Sequence, residues 1–184
     1  MSNTKDQWHA FLTFVWRITA VHMLTYFIAG ILAVYFMDYE NLFKSGGLEH
    51  YMRPTSDPLV ALGPGLQMVR GLIFAIVLWP FRSIFLDAEK GWLNLWGLFL
   101  GLGILSTFGP ALGSVDGLIY TQIPPTIQFK ALPELVFQSL LLSVGIWAWY
   151  RRPGKILNLI ALILVVLILI LGIAGYQFLQ MQAS

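Results

Sequence analysis

The sequence predicts an all-α integral membrane protein with five transmembrane helices, and three observations carry that expectation. The 184-residue chain is 58% hydrophobic and only 11% charged, where an ordinary soluble domain carries about 25% charged residues. Its mean hydropathy is +0.74. Its apolar runs approach the ~20 residues needed to cross ~30 Å of hydrocarbon. Backbone N–H and C=O groups in lipid must be paired within their own segment, so such runs are helices. The length allows a single bundle over 1–184 and no separate soluble domain.

The first span, 13–37, follows a polar start (MSNTKDQWH) in which Trp8 suits the membrane interface. It is too long for the apolar core of a signal peptide and carries Arg17 near its start, so it reads as a retained helix. The second, 65–86, is bracketed by Pro64 and contains Pro80, expected to kink it near one end. The third, 92–108, follows Lys90. The fourth, 134–149, has Pro133 just ahead of Glu134, where a proline suits the first helical turn. The fifth, 155–178, reads LIALILVVLILILGIAG after Asn158. Nothing in it carries chemistry, and it is expected to face lipid or to dock a membrane-protein partner. An odd number of spans does not divide into halves, which argues against an inverted repeat.

Orientation follows from Lys and Arg near the span ends. One side receives Lys5, Arg17, Arg82, Lys90, Arg151, Arg152 and Lys155. The other receives Lys44, Arg53 and Lys130, diluted by Asp38, Glu40, Glu49, Asp57 and Asp116. The expected topology places the N-terminus in the cytoplasm and the C-terminus outside, in a bacterial-type plasma membrane. The two longer connections, 38–64 and 109–133, then face outward. The second begins within FGPALGSVDGLIYTQIPPTIQFKALPE, where four prolines and three glycines alternate with apolar side chains. A slack linker is richer in small polar residues, so this connection is expected to fold as a structured outer loop, a lid on the bundle.

Ionisable groups inside a bilayer cost about 2.5–3.5 kcal/mol each on insertion scales, so each calls for a role. Arg17 lies near an interface and can snorkel. Thr19, His22 and Tyr26 fall on one helical face, and His22 is a candidate proton carrier or haem ligand. Gln67 and Arg70 share a face of the second span, with Gly71 leaving room for close approach. Glu134 and Gln138 enter from the same end of the fourth span. Arg70 and Glu134 are expected to pair between the second and fourth spans, since pairing is the least costly way to hold both charges. They form the floor of an outward-facing polar pocket, with Asp116 and Tyr120 supplied by the lid. Gly97 and Gly101 make a G-x-x-x-G of the kind that brings membrane helices together.

Other function classes are excluded or unsupported. Cysteine is absent, which removes disulfides, thiolate metal sites and a cysteine nucleophile. No metal site is expected. A net charge of +2 without a basic run gives nucleic acid no footing. No G-x-S-x-G, H-E-x-x-H or P-loop is present, and no catalytic residue is assigned. The expected function is non-enzymatic: binding or transport of a small anionic or lipidic ligand at Arg70, Glu134, Gln67 and Gln138. The alternatives are an accessory or assembly subunit of a larger membrane complex, and a haem-binding anchor through His22.

Overall fold

The computed structural model describes residues 4–44, 48–105 and 111–183 and is all-helical over that range. Helix α1 (Thr4–Met37) is followed by the short α2 (Tyr39–Leu42) and a 3-10 turn (Leu48–His50). Then come α3 (Pro58–Ala61), α4 (Gly63–Leu78), a π-turn (Ser83–Asp87) and α5 (Gly91–Leu105). The remainder is α6 (Val115–Tyr120), α7 (Pro125–Lys130), α8 (Leu132–Arg151) and α9 (Lys155–Ala183). Among the described residues, three helical runs are long and apolar enough to cross a bilayer: α1, the stretch from Pro125 to Arg151, and α9. The chain is therefore read as an integral, multi-pass membrane protein. Helices α4 and α5, of 16 and 15 residues, are apolar but shorter.

Helix α1 is the axis of the bundle. It packs against α4, α8 and α9, and α5 joins by packing on α8. From Ile18 to Met23 every residue of α1 is buried, so this stretch is enclosed all round rather than along one stripe. Helix α9 shows the opposite pattern. Ala161, Val165 and Ile168 are its buried residues, a stripe one side chain wide, and most other positions are exposed on the outside of the bundle. Helix α1 ends where Asp38 adopts φ 47°, the left-handed region that aspartate tolerates better than most residues. There the Asp38 carbonyl accepts from Leu42 N–H at 2.9 Å.

The crossing of α1 and α4 is unusually close. Gly71, Ala75 and Leu78 are the buried positions of α4, and a Cβ added at Gly71 would lie 2.7 Å from the Thr19 Cα. The G-x-x-x-G of α5 behaves differently from expectation. A Cβ added at Gly97 or Gly101 would meet nothing within 4 Å, so that stripe faces away from the bundle. Helix α5 instead meets α8 through Gly103, whose added Cβ would lie 2.8 Å from Leu135 Cδ1. The Trp96 indole also donates to Ser139 Oγ at 3.2 Å there.

The end of the second span differs from the sequence expectation. The second span was expected to run to residue 86, but α4 stops at Leu78 and Pro80 lies in a turn rather than at a kink. Proline lacks the N–H that continues a helix and its ring clashes with the preceding turn, and the chain reforms only as the π-turn. The expected end of the third span, 106–108, lies outside the described residues. The segment 111–131 does fold. Ser114 caps α6 by accepting from Gly117 N–H at 2.9 Å. Gln128, at 0% exposure, ties the segment together. Its Oε1 accepts from Gly113 N–H at 2.8 Å, and its Nε2 donates to the Gly117 carbonyl at 3.0 Å and to Thr121 Oγ1 at 2.9 Å. In the other long connection, the Arg53 guanidinium at 2.7 Å and the Leu59 N–H hold the Asp57 carboxyl below the ordinary aspartate range.

Because the obstruction at Gly71 is backbone rather than a movable side chain, Gly71→Ala should force α1 and α4 apart and destabilise the protein by about 1–3 kcal/mol. Gly97→Ala should be neutral. Thermal unfolding of both variants in the same detergent checks this, and equal melting temperatures would remove the role given to the crossing.

Candidate functional site

The close crossing at Gly71 sets two polar stripes face to face. On α1, Thr19, His22 and Tyr26 lie one above another at helical spacing. On α4, Gln67 stands one turn before Gly71, with Arg70 beside it. The His22 Nε2 lies 3.2 Å from the Gln67 Oε1. A carboxamide oxygen only accepts, so the tautomer that makes this bond carries its proton on Nε2 and leaves Nδ1 as an acceptor. That Nδ1 and the Thr19 Oγ1 are buried without a hydrogen-bond partner among the described residues. Buried polar atoms of this kind cost about 1–3 kcal/mol each, and the site holds two, side by side on α1.

Around this pair the charges are arranged at intermediate distance. The Phe74 ring meets the His22 ring edge-on at 4.9 Å between centroids. The Arg70 guanidinium carbon lies 5.8 Å from the Phe74 centroid, within cation–π range. Tyr26 is half-buried, with its ring 6.4 Å from that of His22.

The structure thus places the expected residues unevenly. His22 and Gln67, assigned to separate roles from the sequence, are direct partners. Arg70 is exposed and Glu134 is half-buried, and no ion pair within 4.0 Å joins them among the described residues. Helix α1 packs against both α4 and α8. Gln138 is half-buried on α8. Asp116 is in the first turn of α6, and Tyr120 at its end is 73% exposed. The folded segment that carries them rests on α5 and α8. Among the described residues, no three His, Cys, Asp or Glu side chains gather as metal ligands would. The His22 ring, at 1% exposure, has Gln67 at its Nε2 and Phe74 edge-on against it.

The latch residues Ser114, Thr121 and Gln128 were not anticipated. A signal for the first was present, since Ser before V-D-G is a helix-capping pattern. For Gln128 the hint was a lone amide between Ile127 and Phe129. No protein-family model matches the chain, and neither the curated proteins nor the solved structures contain a match.

Replacing Gln128 with Leu strands the Gly113 N–H, while the Gly117 carbonyl keeps the Thr121 hydroxyl and N–H as donors. The variant should loosen 111–131 by about 1–3 kcal/mol while the α1–α4 crossing stays intact. Hydrogen exchange checks this: amides of α6 and α7 should lose protection, and those of α1 should keep it.

Proposed function

We propose that this chain is a non-enzymatic membrane protein that binds or carries a small anionic or lipidic ligand at the polar seam of α1 and α4, with Glu134 of α8 as counter-charge. In this reading all five apolar helices span the bilayer, with the N-terminus in the cytoplasm, and the seam is reached from the outer side. The carrying observation is the pair of unpartnered buried polar atoms, His22 Nδ1 and Thr19 Oγ1, beside the His22–Gln67 contact. Stability alone favours apolar side chains at such positions, because an unsatisfied polar atom in a bundle core is a net cost. A ligand that donates to Nδ1 and presents an anionic group to Arg70 offsets that cost. Arg70 suits the task, since its guanidinium is permanently charged and offers a planar fork to a carboxylate or phosphate.

A second reading, an accessory subunit of a larger complex, is favoured by a separate observation. The G-x-x-x-G of α5 and most of α9 face outward from the bundle, and small-residue stripes admit a neighbouring helix. A lone, well-behaved particle after mild-detergent purification at native expression level counts against it.

The ligand-binding reading is tested by extracting what copurifies with the protein and identifying it by mass spectrometry. The wild type should carry an anionic species that falls about tenfold in Arg70→Gln, the loss expected for one charge-assisted contact. Circular dichroism should show the variant folded. Equal amounts in the two proteins would discard the assignment of Arg70.

A further inference from the structure

A second feature lies along the first half of α1 and shares no lining residue with the seam. A partly open cleft of about 920 Å³ is bounded by the first half of α1, by Trp79 and Arg82 after α4, and by Ile146 and Tyr150 near the end of α8. Its walls are aromatic: Trp8 and Phe14 from α1, Trp79, and Tyr150. Phe14 packs edge-on against Trp79 at 5.3 Å and against Tyr150 at 6.4 Å. Two guanidinium groups line the same space. Arg82 lies 3.9 Å over the Trp79 ring and donates to the Trp79 carbonyl at 2.6 Å, which fixes its plane and leaves other donors of its fork without a hydrogen-bond partner among the described residues. Arg17 is half-buried, and its Nε is buried with no hydrogen-bond partner among the described residues. No acidic residue is among the lining side chains. Asp87 acts on the Tyr150 hydroxyl from outside the lining.

Snorkelling accounts for a single arginine at an interface, but not for two that converge on an aromatic-walled cleft without a carboxylate. We propose that this cleft binds the phosphate-bearing headgroup of an anionic phospholipid, held by Arg17 and Arg82. Planar, multidentate guanidinium groups match phosphate oxygens. The tryptophan and tyrosine walls cover the glycerol and upper acyl region, the environment in which such amphipathic rings are stable. A free phosphate ion would use the two arginines but not the aromatic walls. The volume falls within the range of sites that enclose most of a small ligand, about 300–1,000 Å³.

The full-length protein in a neutral detergent is titrated with dioleoyl-phosphatidylglycerol and, separately, with dioleoyl-phosphatidylcholine, and adducts are read by native mass spectrometry. One phosphatidylglycerol per chain should bind saturably and about tenfold more tightly than phosphatidylcholine. Arg82→Gln, outside the spanning helices, should weaken that adduct about tenfold, as should Arg17→Gln. Arg17→Lys, which keeps the charge but loses the fork, should fall between. Lys155→Gln, an exposed cation of α9, and Arg70→Gln at the seam should leave it unchanged. If Arg17→Gln does not fold, the Arg82→Gln result decides. Equal affinity for the two lipids, or an unchanged adduct in Arg82→Gln, would overturn the proposal. So would displacement of the lipid by millimolar inorganic phosphate, which would identify a free-anion site.

Discussion

The approach of α1 to α4 at Thr19 and Gly71 is the constraint on which the rest of the molecule depends. In lipid the hydrophobic effect does not draw helices together, since acyl chains are as apolar as leucine, and association rests on close packing and polar contacts. Magnitudes decide which matters more here. Polar side-chain contacts between membrane helices average about 0.6 kcal/mol, so the His22–Gln67 bond cannot hold two helices alone. A glycine that lets backbones meet gathers many dispersion contacts of about 0.1–0.2 kcal/mol each. Packing therefore fixes the crossing, and the crossing delivers His22 to Gln67 at 3.2 Å. The polar seam is a consequence of the steric one.

How much of this was legible in the sequence depends on whether the property belongs to one helix or to two. The long apolar stretches of α1 and α9 announce themselves, because crossing a bilayer is a requirement each segment meets alone. The folding of 111–131 was legible for the same reason, its alternating apolar residues being a local pattern. The latch at Gln128 was not, because its partners Gly113 and Thr121 lie on either side of an intervening helix. Neighbour relations between spans left no trace that periodicity reads. Matching the depths of Arg70 and Glu134 from one end suggested a direct pair, yet depth does not say which helix stands beside which. Here α1 packs on both of the helices that carry them. Gly97 and Gly101 teach the same lesson, since their spacing marks a face fit for close packing without saying whether this chain or another supplies the partner.

Where the polar groups sit follows from what each end of the bundle can offer them. Near the ends, backbone carbonyls and interfacial water satisfy donors cheaply. Arg151 donates to the Asp87 and Ala88 carbonyls and Trp147 to the Ala88 carbonyl, bracing the π-turn against the end of α8. In mid-bundle that recourse is absent. Ser143 solves the problem by donating back to the Ser139 carbonyl at 2.7 Å, as Thr25 does to the Val21 carbonyl at 2.8 Å, the usual accommodation of hydroxyls within a helix. Thr19 and His22 do not take it, although Thr19 has a carbonyl one turn back like any helical residue. The contrast within a single helix separates the hydroxyl that is merely tolerated from the one that faces the seam.

Helix α1 also links the two ends of the molecule. It runs from Thr4 to Met37 without a proline, so it has none of the usual causes of a sharp kink between Arg17 and His22. Five residues of α-helix separate those two by about 7.5 Å along the axis. A tightly packed interior transmits displacement rather than absorbing it, and the stretch between them, Ile18 to Val21, is buried throughout. Any force that shifts Arg17 along the axis must either carry His22 with it or break the Thr19–Gly71 contact. That contact sets Gly71 against the Thr19 Cα, with the Thr19 Cβ and Cγ2 close beside it. Arg17 and His22 are in this way held at a fixed spacing by one buried stretch of helix.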